Sequence, residues 1–315
     1  MCIDSAGNDE APAGVELPED EAARVRTLCE RLGIPGVIDV HTHFMPQNVL
    51  DKVWNYFDHA ERLTGVPWPV AYRFGEAERV ERLRELGVLR FTSLLYPHKP
   101  QMAQWLNEWA ADFAARTPDC AHSATFYPEA GAGDYVAAAI DSGAQIFKAH
   151  VQVGGYDPTD RLLDPVWGVL EDTRLPVVIH AGSGPEPGNH TGPEPIADVL
   201  RRFPKLTLVA AHMGMPEYGA FIDFAERYEN VHLDTTMVFT DFTERMHPFP
   251  VSERGRLADL GDKVVLGSDF PNIPYPFVHQ LEAIDRFGLG DEWTRKVLYE
   301  NPARMIGGSV ESLRG

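Results

Sequence analysis

The sequence predicts an α/β protein with the architecture of a (β/α)8 TIM barrel. Eight short apolar runs between residues 37 and 269 are rich in β-branched residues, and each ends in a polar residue. Helical patterns fill most of the gaps, so neighbouring strands are expected to be parallel, and the total length is close to the roughly 250 residues of a barrel. An open doubly wound sheet is the competing architecture. No GxGxxG follows the first run, which favours the barrel.

The first predicted element is an amphipathic helix over Asp20–Leu32, in which apolar positions recur at helical spacing before Gly33 ends it. Ahead of it, residues 1–21 hold seven Asp and Glu and no Lys or Arg. This composition predicts an acidic, solvated tail. We expect residues 22–315 to form a single domain.

Strands and helices then alternate along the chain. The predicted strands are, in order, Val37–His41, Arg90–Tyr96, His122–Tyr127, Gln145–His150, Pro176–His180, Leu206–His212, Val231–Thr235 and Lys263–Asp269. The predicted helices between them are, in order, Ala77–Leu86, Met102–Arg116, Tyr135–Ser142, Pro165–Asp172, Pro195–Arg202, Tyr218–Tyr228 and Glu253–Leu260.

The segment from His43 to Gly75 is too long for a simple loop and contains many aromatic residues. It follows the first strand at the catalytic end of a barrel, so it could cap the pocket. A helical excursion that packs its aromatic residues on the barrel rim explains it equally well.

Composition excludes several function classes. The net charge is −19, which gives no electrostatic reason to bind nucleic acid or an anionic membrane. No apolar run reaches the roughly 20 residues of a membrane span, and no signal peptide pattern is present. The cysteines Cys2, Cys29 and Cys120 are widely spaced without a CxxC, so we expect a reducing, cytoplasmic location.

The first candidate for chemistry is the His41-x-His43 pair at the end of the first strand. Among 12 histidines this motif is weak by itself, and two unrelated rim histidines would explain it. In a strand, however, residues i and i+2 face the same side. Two imidazoles at that spacing can chelate one divalent cation.

Other predicted strands end in metal-competent residues: His180 on the fifth, His212 on the sixth and Asp269 on the eighth. Barrel active sites lie at this face. A single histidine at a strand end is usually a core residue, but this combination is hard to explain as core. We therefore predict a metal site.

The strings IDVHTHFMP, PVVIHAG, HMG and LGSDFPN resemble the amidohydrolase superfamily of metal-dependent barrels. They look like its amidohydrolase-related branch, which includes aminocarboxymuconate-semialdehyde decarboxylase-like enzymes, and the resemblance runs from Val37 to Met305. It implies one catalytic metal, with Zn²⁺ expected and Mn²⁺ as the alternative. The ligands implied are His41, His43, His180 and Asp269.

The resemblance also implies that Asp269 takes a proton from an activated water. His212 would polarise the substrate or shuttle protons, which suits an imidazole. The alternative role of His212 is to support a metal ligand.

Lys148 leaves the number of metals open. In the two-metal branch of the superfamily, a carbamylated lysine at this strand end bridges both ions. We favour one metal, with Lys148 as a cation that binds substrate or an acidic neighbour. His150 faces the same side and is expected near the pocket. Arg73 in the long first segment is the candidate cation for a substrate carboxylate, with a surface ion pair as the alternative.

The sequence thus predicts a metal-dependent hydrolase that acts on an amide, lactone or other carbonyl bond of a small molecule. The closest rival is a non-oxidative decarboxylase of an aromatic or unsaturated acid; Lys148 favours hydrolysis, because the decarboxylases of the family do not generally carry it. A barrel that only binds a ligand is a third hypothesis, which the complete ligand set disfavours. A homodimer is the expected assembly.

Overall fold

The structure is a computed structural model that describes residues 14–307, and in it parallel strands alternate with helices. The strands are β1 (Val37–Ile38), β2 (Val88–Thr92), β3 (Cys120–Ala121), β4 (Ser123–Thr125), β5 (Ile146–His150), β6 (Val177–His180), β7 (Leu208–Ala210), β8 (Val231–Asp234) and β9 (Val264–Val265). The helices are α1 (Glu21–Leu32), α2 (Gln47–Asp58), α3 (Glu61–Thr64), α4 (Glu76–Glu85), α5 (Ala103–Arg116), α6 (Ala132–Asp141), α7 (Val151–Gly154), α8 (Asp164–Thr173), α9 (Pro193–Arg202), α10 (Tyr218–Arg227), α11 (Asp241–Glu244), α12 (Arg254–Asp259), α13 (Phe277–Arg286), α14 (Asp291–Arg295) and α15 (Asn301–Ile306).

All strand pairs are parallel. One ladder runs β1-β2-β3 and the other runs β4-β5-β6-β7-β8-β9. The register between β5 and β6 places Lys148 beside Val178 and His150 beside His180. Consecutive strands therefore bring their carboxyl ends to one face, as the sequence predicts.

Backbone hydrogen bonds join the last strand region to the first. The amide of Val40 donates to the carbonyl of Leu266 (2.9 Å), and the amide of Asp269 donates to the carbonyl of His41 (2.9 Å). The amide of His43 continues this series with a bond to Phe270 (2.7 Å). The sheet is closed along this line, which agrees with the predicted barrel.

The regular strands are shorter than predicted. β1 ends at Ile38 and β9 at Val265, although the apolar patterns continue to His41 and Asp269. Beyond these points the chain turns into the face of the barrel, and Asp269 adopts a positive φ of 75°. The third predicted strand begins two residues earlier and is interrupted at His122, which separates β3 from β4.

The long segment after β1 folds as a helical excursion. It contains α2 and α3, and Trp54 and Tyr72 on it are buried. The same segment also reaches the catalytic face, where Tyr56 and Trp68 line a cavity. The segment therefore both packs aromatic residues on the barrel and forms part of the cavity wall.

The predicted acidic tail lies partly outside the described residues, which begin at residue 14. Its last member, Glu21, is instead the first residue of α1 and is fully buried. No helix among residues 14–307 has the length and apolar character needed to cross a bilayer.

Candidate metal centre

Three predicted ligands meet at the carboxyl end of the barrel. His41 and His43 follow β1, Asp269 follows β9, and one ligand atom from each lies within 4.8 Å of the others. The Oδ1 atom of Asp269 is 2.9 Å from Nε2 of His43 and 3.5 Å from Nε2 of His41. All three side chains are buried. We call them the metal cluster.

The hydrogen bonds around His43 show why this cluster fits a cation. The Nδ1 atom of His43 lies 2.7 Å from the carbonyl oxygen of Leu94, which can only accept, so Nδ1 carries the hydrogen. The Nε2 atom then faces the carboxylate of Asp269 at 2.9 Å, a distance that requires a proton or a metal ion between the two atoms. With a metal ion in place of that proton, Nε2 of His43 and the carboxylate of Asp269 would both be ligands.

His41 is oriented in the same way by Asp234 at the end of β8. The Nδ1 atom of His41 donates to Oδ2 of Asp234 at 2.8 Å, which leaves Nε2 for a metal. Burial opposes the ionisation of Asp234, but His41, together with His212 and Lys148, outweighs burial and lowers the pKa of this carboxyl to about 2. Its other oxygen accepts the backbone amide of His212 at 2.7 Å. The donor set of two imidazoles and one carboxylate therefore fits a divalent metal.

Sequence reasoning missed Asp234. The residue lies inside the predicted strand Val231–Thr235, where a polar residue at the strand end is the only local signal. His41 is 193 residues away in the sequence, so no local pattern indicates that the two side chains pair.

Lys148 on β5 reaches the metal cluster. Its Nζ atom is 2.8 Å from Nε2 of His41, and the side chain is fully buried. Burial lowers the pKa of Lys148 to about 8, although the charges of Asp234 and Asp269 act in the opposite direction. The lysine thus loses its proton at a lower pH than an exposed lysine does, but near neutral pH it is still a cation beside a metal ligand.

His180, the fourth predicted ligand, lies beside the metal cluster and is not part of it. Its Nε2 atom donates to the carbonyl of Gly184 at 3.0 Å, so only Nδ1 retains a lone pair. The ring stacks on His150 with centroids 4.1 Å apart and lies 4.8 Å from the ring of His212.

His212 and His150 present opposite functional groups. The Nδ1 atom of His212 lies 3.1 Å from the carbonyl of Thr236, so it carries the hydrogen and leaves Nε2 as an acceptor. The Nδ1 atom of His150 instead accepts the amide of Val153 at 3.3 Å, so Nε2 carries the hydrogen and is a donor. Burial lowers the pKa of both rings, which keeps them neutral.

These residues form the buried end of a cavity of about 760 Å³. The lining also includes four methionines: Met102, Met215, Met237 and Met246. Exposed residues surround its open end, among them Lys52, His98, Lys99 and Trp105.

The structure does not bring Arg73 to this cavity. Its Nη2 atom forms an ion pair with Asp58 and lies 3.3 Å from the carbonyl of Trp54. The guanidinium also lies over the Trp54 ring, 5.6 Å from its centroid. These contacts match the ion pair that the sequence left open as the alternative for Arg73.

Comparison with known proteins agrees with this architecture. A family model described as "Amidohydrolase" matches residues 38–308. No curated protein sequence matches the chain.

Solved structures with the same fold come from several bacteria. An uncharacterized TIM-barrel protein from Bordetella bronchiseptica has a TM-score of 0.69 and 21% identity, over 86% of this chain and 98% of that chain. A 5-carboxyvanillate decarboxylase from Novosphingobium aromaticivorans, with bound manganese, has a TM-score of 0.60 and 14% identity, over 86% and 97%. A protein from Pseudomonas putida assigned as a 2-pyrone-4,6-dicarboxylic acid hydrolase has a TM-score of 0.59 and 14% identity, over 88% and 99%.

Proposed function

Because the chain belongs to the amidohydrolase family, we propose that it is a metal-dependent hydrolase of a small molecule with an amide, lactone or other carbonyl bond. The observation that carries this proposal is the approach of Nε2 of His43 to Oδ1 of Asp269. An imidazole nitrogen and a carboxylate oxygen that face each other in a buried site, with Nε2 of His41 beside them, fit a divalent metal ion.

His41, His43 and Asp269 would hold that ion. Two imidazoles and a carboxylate suit Zn²⁺, and Mn²⁺ is the alternative. When bound, a divalent ion supplies Lewis-acid polarisation of a carbonyl oxygen and activation of water.

The surrounding side chains divide the proton transfers between them. Asp269 and Nε2 of His212 are acceptors, so they take the proton that the attacking water loses. Nε2–H of His150 is a donor and can stabilise the negative charge that develops on the carbonyl oxygen. As the oxygen of water bonds to the carbonyl carbon, the bond to the leaving nitrogen or oxygen breaks, and the accepted proton passes to that leaving atom. Lys148, fully buried beside His41, is the cation for an anionic group of the substrate.

Metal content and turnover together test the proposal. Elemental mass spectrometry on protein purified without added metal or chelator is expected to find about one Zn²⁺ or Mn²⁺ per chain. About two ions would make a carbamylated Lys148 the bridge between them. No metal, and none taken up on titration, would refute the proposal.

Turnover is measured on a panel of lactones, amides and aromatic acids, with water-dependent ring opening and CO₂ release followed in parallel. We expect ring opening. His212→Asn should lower kcat about 100-fold or more, because an amide cannot take up the proton that Nε2 of His212 accepts. The control is His190→Asn, which changes a half-exposed histidine outside the cavity lining. Release of CO₂ without hydrolysis would instead identify a decarboxylase.

A further inference from the structure

The open end of the cavity carries two lysines and a histidine. Lys52 on α2 and the neighbouring pair His98 and Lys99 all line it, and all three are exposed. We call these three residues the basic mouth. The charges of both lysines lower the pKa of His98, in addition to a larger effect of burial, which indicates that the three groups lie close together.

In the described part of the chain, the two lysines of the basic mouth differ from most of the arginines in lacking a carboxylate partner. The chain has a net charge of −19, and most of its arginines are paired with carboxylates. Within residues 14–307, no ion pair engages the ammonium group of Lys52 or Lys99. Unpaired positive charge at a cavity entrance attracts anions, and it does so against the field of an acidic protein.

The exposed part of the cavity lining also contains large apolar side chains. Tyr56, Trp105 and Val153 are 40%, 41% and 44% exposed, and all three line this cavity. Large exposed apolar side chains that are grouped around one opening are typical of a surface that binds an apolar ligand.

The cavity lining therefore has three kinds of residue. The metal cluster and its histidines are buried, methionines and aromatic rings also line the cavity, and the basic mouth is exposed. A volume of 760 Å³ is in the upper part of the range for sites that take ligands of drug size, about 300–1,000 Å³. Methionine side chains adapt to ligands of different shape.

We propose that the substrate is an elongated, mostly apolar molecule with an anionic group at the end remote from the reacting carbonyl, and that Lys52 and Lys99 bind this group. This inference rests on the proposed function for the position of the reacting carbonyl. The lysines also replace Arg73, which is engaged by Asp58, as the cations for a substrate carboxylate.

The test is a binding titration on the metal-loaded protein, which needs no turnover. The probes are aromatic dicarboxylates of one, two and three rings: benzene-1,4-dicarboxylate, biphenyl-4,4′-dicarboxylate and its terphenyl analogue. Each is compared with the monocarboxylate of the same ring number by isothermal titration calorimetry. The series covers different reaches, because one carboxylate must lie at the metal cluster while the other lies at the basic mouth.

We expect at least one dicarboxylate to bind about tenfold more tightly than its monocarboxylate partner. In the double variant Lys52→Met/Lys99→Met, this preference should fall to about twofold or less. The charge-matched control is Lys205→Met/Lys296→Met, which removes two lysines outside the cavity lining and should retain the full preference. Added salt should weaken the preference in the wild type.

Equal binding of every dicarboxylate and its partner would overturn the inference, and so would a preference that survives in the double variant. This outcome is distinct from failure of the proposed function. A preference that depends on the two lysines supports the ligand class even when no hydrolysis is found. Conversely, an active hydrolase without this preference refutes the ligand class alone.

Discussion

At the scale of single residues, the site is specified by what each imidazole contacts with its second nitrogen. His41, His43, His150 and His212 each use Nδ1 on a protein partner. Three of these partners are acceptors, and only the partner of His150 is a donor. Four chemically identical side chains thus acquire two different roles from their backbone and carboxylate neighbours.

The role of Asp234 gives the first prediction. Asp234→Asn should weaken metal binding about 10- to 100-fold, because an amide cannot reproduce the charged acceptor that fixes the His41 ring. The measurement is the dissociation constant for Zn²⁺ by competition with a chromophoric chelator. Thr236→Val is the matched variant, since it removes only the 3.0 Å contact of a neutral hydroxyl with the same nitrogen, and we expect a smaller loss. Equal affinity for wild type and Asp234→Asn would contradict this role.

The sequence predicts part of this site. His41, His43 and Asp269 could be predicted because strand ends of a parallel sheet meet at one face. The hydrogen bonds made by the other ring nitrogens could not be predicted. Their partners at Leu94, Thr236 and Gly184 are backbone carbonyls, which no sequence pattern identifies. The same holds for His180, whose Nε2 donates to the Gly184 carbonyl and whose Nδ1 therefore retains the lone pair.

At the scale of elements, the buried carboxylate of Glu21 links α1 to the barrel. Glu21 accepts the hydroxyl of Tyr72 (2.6 Å), the guanidinium of Arg82 (2.6 Å) and the amide of Val278 (3.2 Å). It therefore joins α1 to the long first segment, to α4 and to α13. An acidic residue at the end of an acidic stretch looks solvated in the sequence, because its partners are 51 to 257 residues away.

Replacing this carboxylate tests how much the link contributes to the stability of the protein. Glu21→Ala should lower the free energy of unfolding by about 2–4 kcal/mol, because it leaves three donors without their buried acceptor. Urea denaturation followed by circular dichroism measures the change. Glu30→Ala removes the same charge from an exposed position of the same helix and should change stability by no more than about 0.5 kcal/mol. Similar losses in the two variants would show that Glu21 is not a specific anchor.

Strand and helix patterns are predicted well where each element packs as a regular unit, as for α5 and α10. The predicted strand ends are wrong where the chain stops pairing with its neighbours and forms the site. The apolar pattern continues beyond Ile38 and Val265, whereas the regular strands end there. Helices α13, α14 and α15 follow the last strand, beyond the eight units that the alternation of strands and helices identifies.

At the scale of the whole molecule, the bound ion should contribute to stability. A ligand that binds only the folded state raises the unfolding temperature. We expect dialysis against a chelator to lower Tm by about 5 °C and Zn²⁺ or Mn²⁺ to restore it. Differential scanning calorimetry measures both. The variant Asp269→Asn should show a much smaller response to metal, and a wild type whose Tm ignores chelation would argue against a structural contribution.

The fold class is predicted from the sequence because one repeated unit, a strand followed by a helix, determines it. Closure is not a property of any single unit. It depends on the bonds of Val40 and His43 to Leu266 and Phe270, in regions too irregular to be recognised as strands.

That closure line has a consequence for how the protein matures. His41 and His43 lie on one side of it and Asp269 lies on the other, 226 residues later in the chain than His43. A nascent chain that has emerged only as far as β8 has both histidines but lacks the carboxylate that completes the donor set. A metal ion held by all three residues would therefore bind only after synthesis of the last strand, and it would join the two ends of the barrel.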